Sequence, residues 1–289
     1  MLRLRVLTAV VGIPLAVAII YAGGWWLVGA TALLAILALR EFYRLVQAGA
    51  DRGLGGTADL SAWGVRFMRA IGYWLAVDMP LTALLGPVSV PLRFGLVVAG
   101  FLILVFVLTD RRTRAAPVPP ALPVGAVALP ALFSCLVYLR LLDHEPLVVL
   151  GVAFPPGACW LFLVFAACWG ADSAAYAVGR TWGRRKLWPA VSPGKTVEGA
   201  VAGLLVSVVI VAGLAWVFGV ALYFGLALGA LMGVGGQLGD LAESKLKRWA
   251  GVKDSGSLLP GHGGVLDRFD SLLVSVPLAY LFLRAVLWG

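Results

Sequence analysis

The residues of this chain best suited to chemistry lie close together, between positions 240 and 271. The segment reads DLAESKLKRWAGVKDSGSLLPGHGGVLDRFDS, and 11 of its 32 residues are Asp, Glu, Lys, Arg or His, whereas charged residues make up 13% of the whole chain. Long apolar runs lie on both sides of it. Because charges are costly near a lipid bilayer, a dense cluster of both signs between apolar runs indicates a functional site.

Four of the five carboxylates of this segment form two groups, each spaced for one side of a helix. Asp240, Glu243 and Lys247 stand at i, i+3 and i+7, while Asp267 and Asp270 are predicted to share a face at the start of the last apolar run. Hard oxygen ligands suit Mg²⁺, which commonly takes one or two carboxylates together with substrate phosphates and water. A solvated amphipathic face would show the same spacing, but the first group begins directly where an apolar run ends.

A glycine-rich loop, LPGHGG at 259–264, precedes the second acidic group. It exposes backbone around His262, which has no neighbouring Cys or His at zinc-ligand spacing. An ordinary loop histidine and a histidine that contacts phosphate both fit this pattern.

Asp172 is a carboxylate near the end of an earlier apolar run. On a helix it shares a face with Tyr176 and lies about 12 Å inside Arg180. An unpaired carboxylate there would be expensive. The sequence leaves two interpretations open, a buried Asp paired with a cation from another helix and a metal or substrate ligand.

The segment SPGKTVEG at 192–199 has the composition of a helix start near phosphate. Ser192 is predicted to be the N-cap and Pro193 the first helical residue, and Lys195 beside a helix N-terminus favours phosphate. Gly194-Lys195-Thr196 is similar to the end of a P-loop, but Pro189 replaces the required first glycine, so a Walker site is excluded. Lys195 also fits an ordinary lysine between membrane spans.

The rest of the chain predicts the elements that position these residues. A mean hydropathy of +0.97 over 289 residues excludes an ordinary soluble domain. In lipid the backbone must satisfy its own hydrogen bonds, so the fold is predicted to be an all-α polytopic membrane protein with about nine transmembrane helices. The predicted spans are 6–22, 24–39, 67–86, 91–109, 124–142, 158–180, 197–218, 219–239 and 271–288.

The distribution of cations predicts the orientation of these spans. With the N-terminus cytoplasmic and the C-terminus outside, all of the 23 Lys and Arg residues except Arg93, Arg140 and Arg284 fall on the cytoplasmic side. The net charge of +9 is then one-sided, and it would also attract anionic lipids or nucleotides. Nucleic acid is not an expected partner, because the cations are spread over short loops. A Pro-rich connector at 110–123 divides a four-span scaffold, 1–123, from a five-span catalytic half, 124–289.

Four blocks of the segment, taken together, resemble the signature of the phosphatidate cytidylyltransferase (CDP-diacylglycerol synthase) family. They are SKLKR at 244–248, KD at 253–254, LPGHGG at 259–264 and DRFD at 267–270. The motifs around Asp172 and at 192–199 are also similar to blocks of that family. The resemblance implies transfer of a cytidylyl group from CTP to phosphatidic acid, with release of pyrophosphate. It further implies Mg²⁺, with a second cation left open, a homodimer, and an active site on the cytoplasmic face of a bacterial plasma membrane.

The resemblance also implies roles for individual residues. Asp240 and Asp267 are the expected principal magnesium ligands, Glu243 and Asp270 support them, and Asp172 is an additional ligand or the partner of a cation. Lys247 and Arg268 are expected to be catalytic together with Asp240 and Asp267. The residues expected to contact substrate phosphates or the leaving pyrophosphate are Ser192, Lys195, Lys247, Arg248, Lys253, His262, Gly263, Gly264 and Arg268.

Two other classes of function fit parts of the sequence. A related membrane enzyme that uses CTP with another lipid, such as a polyprenol kinase or a CDP-archaeol-type synthase, would need similar charges. A transporter would explain the glycine-rich helices and Asp172. The charges are concentrated on one face of the membrane, and these motifs are not repeated in the first half of the chain. Both observations favour an enzyme over a transporter.

Overall fold

The computed structural model of the chain describes residues 2–52, 62–85, 118–142, 147–149, 152–258 and 263–287. These residues are mostly helical and belong to two compact units. The first unit comprises Met1–Val137 and Ala242–Phe269, and the second comprises Tyr138–Leu241 and Asp270–Gly289. This structural division differs from the boundary at 123 drawn from the sequence. It does not test the functional division into scaffold and catalytic halves, which stays a prediction.

The described residues of the first half of the chain form four helices. They are α1 (Leu2–Ala22), α2 (Gly24–Asp51), α3 (Ala62–Leu85) and α4 (Val118–Arg140). The second half begins with a short hairpin, β1 (Leu147–Val149) and β2 (Val152–Phe154), followed by α5 (Pro156–Thr181). A second hairpin, β3 (Lys186–Trp188) and β4 (Ser192–Thr196), precedes α6 (Val197–Val217) and α7 (Leu222–Ala250). The chain ends with α8 (Leu266–Phe269) and α9 (Leu272–Leu287).

Within the described ranges, four helices are long and apolar enough to cross a membrane: α2, α5, α6 and α7. Shorter apolar helices cover Val10–Ala22, Val124–Arg140 and Leu272–Val286. The predicted class, a helical integral membrane protein, is therefore confirmed. The count of nine spans and the orientation of the termini stay predictions, and the span expected at 91–109 lies outside the described residues.

The helix predicted to begin at Pro193, with Ser192 as its N-cap, begins four residues later, at Val197. Residues 192–196 form β4, which pairs antiparallel with β3 through Lys186 opposite Thr196 and Trp188 opposite Ser192. Thr196 is the N-cap of α6, because its Oγ1 accepts a hydrogen bond of 3.1 Å from the amide of Gly199. The prediction that Ser192 caps the helix and Pro193 starts it was therefore wrong. Both hydroxyl residues can cap a helix, and pairing with β3 decides between them.

The predicted helix face shared by Asp267 and Asp270 is also absent from the described structure. Asp267 lies in the four-residue helix α8, Asp270 and Ser271 lie in a turn, and α9 begins at Leu272. The amide of Ser271 donates a 2.7 Å hydrogen bond to Asp270 Oδ1. This local bond between a side chain and the backbone competes with helical pairing and gives a reason for the interruption.

In the second unit, small residues allow helix backbones to approach closely. A Cβ on Gly229 of α7 would lie 2.6 Å from the Cα atom of Val208 in α6. Beside it, Ser207 Oγ donates a 3.0 Å hydrogen bond to the carbonyl oxygen of Gly229. Because apolar association provides little drive in lipid, such close contacts and interhelical hydrogen bonds hold membrane helices together.

In the first unit, aromatic side chains fill the space between helices. Phe133 of α4 and Phe269 of α8 have ring centroids 5.5 Å apart. The Trp249 ring on α7 covers Gly49 of α2 so closely that a Cβ there would collide with it. These contacts join the end of α7 and the short α8 to the N-terminal helices.

Replacing Gly229 with Ala should destabilise the protein by about 1–3 kcal/mol, because the added methyl group must push the α6 backbone away. Gly213→Ala is the matched control, since a Cβ on this α6 glycine meets nothing within 4 Å. Thermal unfolding of the purified variants in detergent measures both effects. Equal unfolding midpoints for the two variants would contradict this account of the α6–α7 contact.

Candidate active site

Asp240 and Lys195 form an ion pair within the second unit. Lys195 Nζ contacts Asp240 Oδ2, and both side chains are 28% exposed, so the pair is partly open to solvent. Lys195 lies in β4, and the β3–β4 hairpin is fixed by Glu198 at the start of α6. The Glu198 carboxylate accepts hydrogen bonds from the amides of Arg184 at 3.1 Å and Arg185 at 3.2 Å. The hairpin therefore presents Lys195 to Asp240 in a defined position.

Asp240 is also the centre of an acidic cluster. A carboxylate oxygen of Asp240 lies within 4.8 Å of one from Glu243, one turn further along α7, and of one from Asp270. Glycine at position 239 allows this approach, because a Cβ there would collide with the carbonyl oxygen of Asp270. Two like charges at this distance repel by about 3 kcal/mol at an effective dielectric constant of about 20.

The donor set of this cluster fits a hard divalent cation. All three groups offer carboxylate oxygens, which Mg²⁺ prefers. A bound cation would replace the repulsion among the carboxylates with attraction. The part of the prediction that called for an acidic site able to hold a metal is confirmed, whereas the identity of the metal is not.

Lys247 lies between two carboxylates of the first unit. Its Nζ is 2.5 Å from Glu243 Oε2 and 2.6 Å from Asp267 Oδ1. The side chains are 13% exposed for Lys247, 7% for Glu243 and 6% for Asp267. In such a site, removing one partner leaves a charge that water reaches poorly.

The second oxygen of Asp267 is bound by three protein donors. Asp267 Oδ2 accepts hydrogen bonds from the amide of Gly264 at 2.8 Å, the amide of Ser255 at 2.9 Å and Ser255 Oγ at 3.0 Å. Burial alone would raise the pKa of Asp267, but the bonds from Lys247 and Gly264 outweigh it and lower the pKa from 3.8 to about 2. Asp267 is therefore ionised at every physiological pH, and its orientation is fixed.

The remaining predicted residues between 248 and 268 differ in their exposure to solvent. Arg248, Lys253 and Arg268 are exposed, and Arg248 donates a 3.3 Å hydrogen bond to the carbonyl oxygen of Val252. Gly263 has a φ of +84°, which favours glycine, and a Cβ there would lie 2.6 Å from Asp267 Oδ2. Gly264 is buried, and His262 lies outside the described residues.

Asp172 and Ser192 lie in the second unit. Asp172 and Tyr176 share α5 as predicted, and the Tyr176 hydroxyl accepts a 2.8 Å hydrogen bond from Arg180. Asp172 is exposed, and with Gln237 and Ser271 it lines a cavity of about 30 Å³ among small residues of α5, α6 and α7. Ser192 is half-buried in β4, three residues before Lys195.

Glu41 is a charged residue that sequence reasoning missed. It lies in α2, is 4% exposed, and accepts three hydrogen bonds from residues more than 200 positions later in the chain. Beside Arg40 and Arg44 it reads as one more polar residue at the end of a membrane span. Its spacing from buried Ala38 and Leu45 places it on the inner face of α2, and that periodicity is the signal that could have revealed it.

Comparison with known proteins places this site in a family. The chain matches the model of the cytidylyltransferase family over residues 3–286, a range that contains every residue of the candidate site. The chain belongs to the cytidylyltransferase family. It is therefore a nucleotidyltransferase, and the resemblance drawn from the sequence motifs is confirmed.

Relatives of this cytidylyltransferase include several proteins named phosphatidate cytidylyltransferase. The protein of that name from Synechocystis sp. is 36% identical over 303 aligned residues, which cover 98% of this chain and 97% of the relative. The one from Staphylococcus haemolyticus is 30% identical, with 98% and 99% covered. The one from Bacillus subtilis is 45% identical over 129 residues, which cover 44% of this chain and 48% of the relative.

In this cytidylyltransferase, Lys247→Met should lower the free energy of unfolding by about 3 kcal/mol, because it leaves the Glu243 and Asp267 carboxylates without their shared cation. Thermal unfolding in detergent measures the change. Lys186→Met removes the same charge at an exposed position of β3 and should have little effect. A midpoint for K247M that equals that of the wild type would refute the structural importance of the pair.

The pH dependence of this difference follows from Asp267. Its pKa is lowered on folding, so the stability it contributes is fully present above an unfolded-state pKa of 3.8 and is lost as the pH falls towards about 2. The difference in stability between wild type and K247M should therefore be the same at about pH 6 and about pH 8. A difference that changes strongly across this interval would show that another group titrates there.

Proposed function

We propose that this protein transfers the cytidylyl group of CTP to phosphatidic acid, giving CDP-diacylglycerol and pyrophosphate at the cytoplasmic face of the membrane. The observation that carries the proposal is the match, at 36% identity over 98% of the chain, to a relative named phosphatidate cytidylyltransferase. The carboxylates and cations of the described site suit this reaction.

The reaction brings two polyanions together. A phosphate oxygen of phosphatidic acid forms a bond to the α-phosphorus of CTP, the bond from that phosphorus to the bridging oxygen breaks, and pyrophosphate leaves. The phosphate nucleophile is already ionised near neutral pH, so the step needs positioning and charge neutralisation rather than a strong base. The described ion pairs support this, since Lys195 lies against Asp240, and Lys247 lies between Glu243 and Asp267.

The carboxylates are the proposed holders of Mg²⁺. We assign Asp240 and Asp267 as principal ligands, with Glu243 and Asp270 as support and Asp172 as an additional ligand or cation partner. When bound, the metal would neutralise charge on the phosphates of CTP. The closeness of Asp240 to Glu243 and Asp270 supports a shared cation, and the fixed orientation of Asp267 supports a preorganised carboxylate.

The cations are the proposed phosphate contacts. Lys195 is partly exposed beside Asp240. It can therefore leave the Asp240 carboxylate and bind a substrate phosphate, while a metal ion binds Asp240 instead. Arg248, Lys253 and Arg268 are exposed and open to a soluble nucleotide. Lys247 neutralises Glu243 and Asp267 and is the proposed catalytic lysine. Ser192, His262, Gly263 and Gly264 complete the proposed substrate contacts.

The location of the reaction is part of the same proposal. CTP is a cytoplasmic nucleotide, and the excess of Lys and Arg assigned to one side of the predicted spans supports a cytoplasmic site in a bacterial plasma membrane. The family resemblance supports a homodimer.

Purified protein in detergent, given Mg²⁺, phosphatidic acid and CTP labelled in its cytidine, should release pyrophosphate and transfer the label to lipid. Omission of phosphatidic acid is the control and should abolish both signals. Label left in soluble CDP with a phosphorylated lipid would instead indicate a kinase. Absence of CTP consumption, with solute movement across sealed vesicles, would indicate a transporter.

Asp240→Asn and Asp267→Asn should each lower turnover at least about 100-fold, because each removes charge from groups that neutralise the transition state. Asp270→Asn should raise the Mg²⁺ concentration needed for half-maximal activity. Asp51→Asn is a charge-matched control, since this exposed residue at the end of α2 accepts a bond from Gln47 instead. Normal turnover with unchanged Mg²⁺ dependence in the Asp240 and Asp267 variants would refute the metal assignment.

A further inference from the structure

We propose that Glu41, on helix α2, is a positioning residue. It holds residues 255–258 and 263–266, here called the segment, in the conformation that binds nucleotide and metal. This inference rests on the proposed function, because the segment leads directly into Asp267 and contains Gly263 and Gly264. All the contacts that carry it lie within the first unit.

The Glu41 carboxylate accepts hydrogen bonds from both ends of the segment. Oε1 accepts a bond of 2.9 Å from the amide of Val265, and Oε2 accepts one of 2.9 Å from the amide of Leu266. Oε2 also accepts a bond of 3.0 Å from Ser255 Oγ. One buried carboxylate therefore binds the start and the end of the segment at once. Bonds from such donors to a charged acceptor are about twice as strong as neutral ones.

The Ser255 hydroxyl connects Glu41 directly to Asp267. Ser255 Oγ lies 3.0 Å from Glu41 Oε2 and also 3.0 Å from Asp267 Oδ2. The hydroxyl has one proton for two carboxylates, so it joins the two acidic side chains in a single hydrogen-bonded unit. Leu266, whose amide binds Glu41, is the residue before Asp267 in the chain. A displacement of Glu41 must therefore change the position of the Asp267 carboxylate.

Two glycines lie against the Glu41 carboxylate. A Cβ on Gly256 would lie 2.6 Å from Glu41 Oε1, and a Cβ on Gly264 would collide with both the Glu41 carboxylate and Ser255 Oγ. A side chain at either position would therefore displace the Glu41 carboxylate from its hydrogen bonds. Gly264, expected from the sequence to contact phosphate, thus has a second role as the place where the chain passes Glu41.

The contacts of Glu41 indicate a positioning role. Glu41 is 4% exposed, and its oxygens accept hydrogen bonds from Ser255, Val265 and Leu266. It acts through the backbone of Val265 and Leu266. A glutamine can accept from one of these amides, but its NH₂ group would face the other, and an aspartate is shorter by one methylene group.

The expected effect of Glu41→Gln on the kinetic constants follows from the fraction of molecules in which the segment is held in place. If Glu41→Gln lowers the fraction of molecules with the segment in place, the apparent affinity for its ligands falls by that fraction. Saturating CTP and Mg²⁺ then restore the ordered state. We expect the KM for CTP and the Mg²⁺ concentration for half-maximal activity to rise about tenfold to a hundredfold, with kcat reduced by no more than about threefold.

The experiment compares wild type, Glu41→Gln, Glu41→Asp and Asp51→Asn as full-length proteins in detergent. Asp51→Asn removes the same charge on the same helix, and it should leave all three kinetic constants unchanged. A purely structural role for Glu41 predicts fewer active molecules, with kcat lowered and both KM and the Mg²⁺ requirement unchanged. That result would overturn the proposal.

Hydrogen exchange without substrate provides a second measurement that does not depend on activity. Glu41→Gln should speed exchange of the Val265 and Leu266 amides at least about tenfold, while amides of α6 keep their wild-type rates. Unchanged exchange at 265 and 266 would refute the positioning role. If Glu41→Gln does not fold, Ser255→Ala removes the hydroxyl that bonds both Glu41 and Asp267, and it should speed exchange of the Val265 and Leu266 amides in the same way.

The two proposals fail in different ways. If the wild-type protein does not convert CTP and phosphatidic acid, the proposed function fails, yet the exchange comparison still tests whether Glu41 holds the segment. If the wild type is active and Glu41→Gln has a normal KM and a normal Mg²⁺ requirement, the positioning role fails and the proposed function stands.

Discussion

Compensation of buried charge is the constraint on which the rest of this structure depends. In a chain of which 61% of the residues are hydrophobic, Glu41, Glu243 and Asp267 keep carboxylates that are almost closed to solvent. An unpaired charge in such a place would cost several kcal/mol, so each carboxylate requires cations or N–H donors close by. Lys247 pairs with Glu243 and Asp267. The amides of Ser255 and Gly264 donate to Asp267, and those of Val265 and Leu266 donate to Glu41. The positions of these backbone groups therefore depend on charge as well as on apolar packing.

The same compensation prepares the site for the proposed reaction. Groups that neutralise one another in pairs, such as Lys195 with Asp240, are the groups that phosphate and a divalent cation would bind. Exchange of one ion pair for two new ones has a small net electrostatic cost, because each partner gains a counter-charge as it loses one. The charges are therefore held in place before the substrates arrive, which is the form of preorganisation that polyanion transfer requires.

Apolar helices and their approximate limits were predictable from the sequence, whereas short polar elements were not. The predicted spans at 158–180 and 197–218 agree with α5 and α6 to within two residues at each end. Helix α7 continues to Ala250, beyond the predicted end at 239, because its backbone stays helical where its side chains become charged. Hydropathy alone marks the change of side chains and not the end of the helix. The β3–β4 hairpin was missed because pairing with Lys186 and Trp188, rather than local preference, makes a strand of Ser192–Thr196.

By itself, the sequence determined the helical membrane class, the family and the chemical types present, because these follow from composition and from motifs of fixed spacing. It also determined that Asp240, Glu243 and Lys247 share one helix, since 3.6 residues per turn brings them to the same side. Only the tertiary structure decided that Lys195 pairs with Asp240, that Asp270 approaches Asp240, and that Glu41 holds the segment before Asp267. These contacts join residues 30 to more than 200 positions apart, and no local pattern encodes them. The Glu41 contacts form because a buried charge requires hydrogen-bond donors, wherever along the chain these come from.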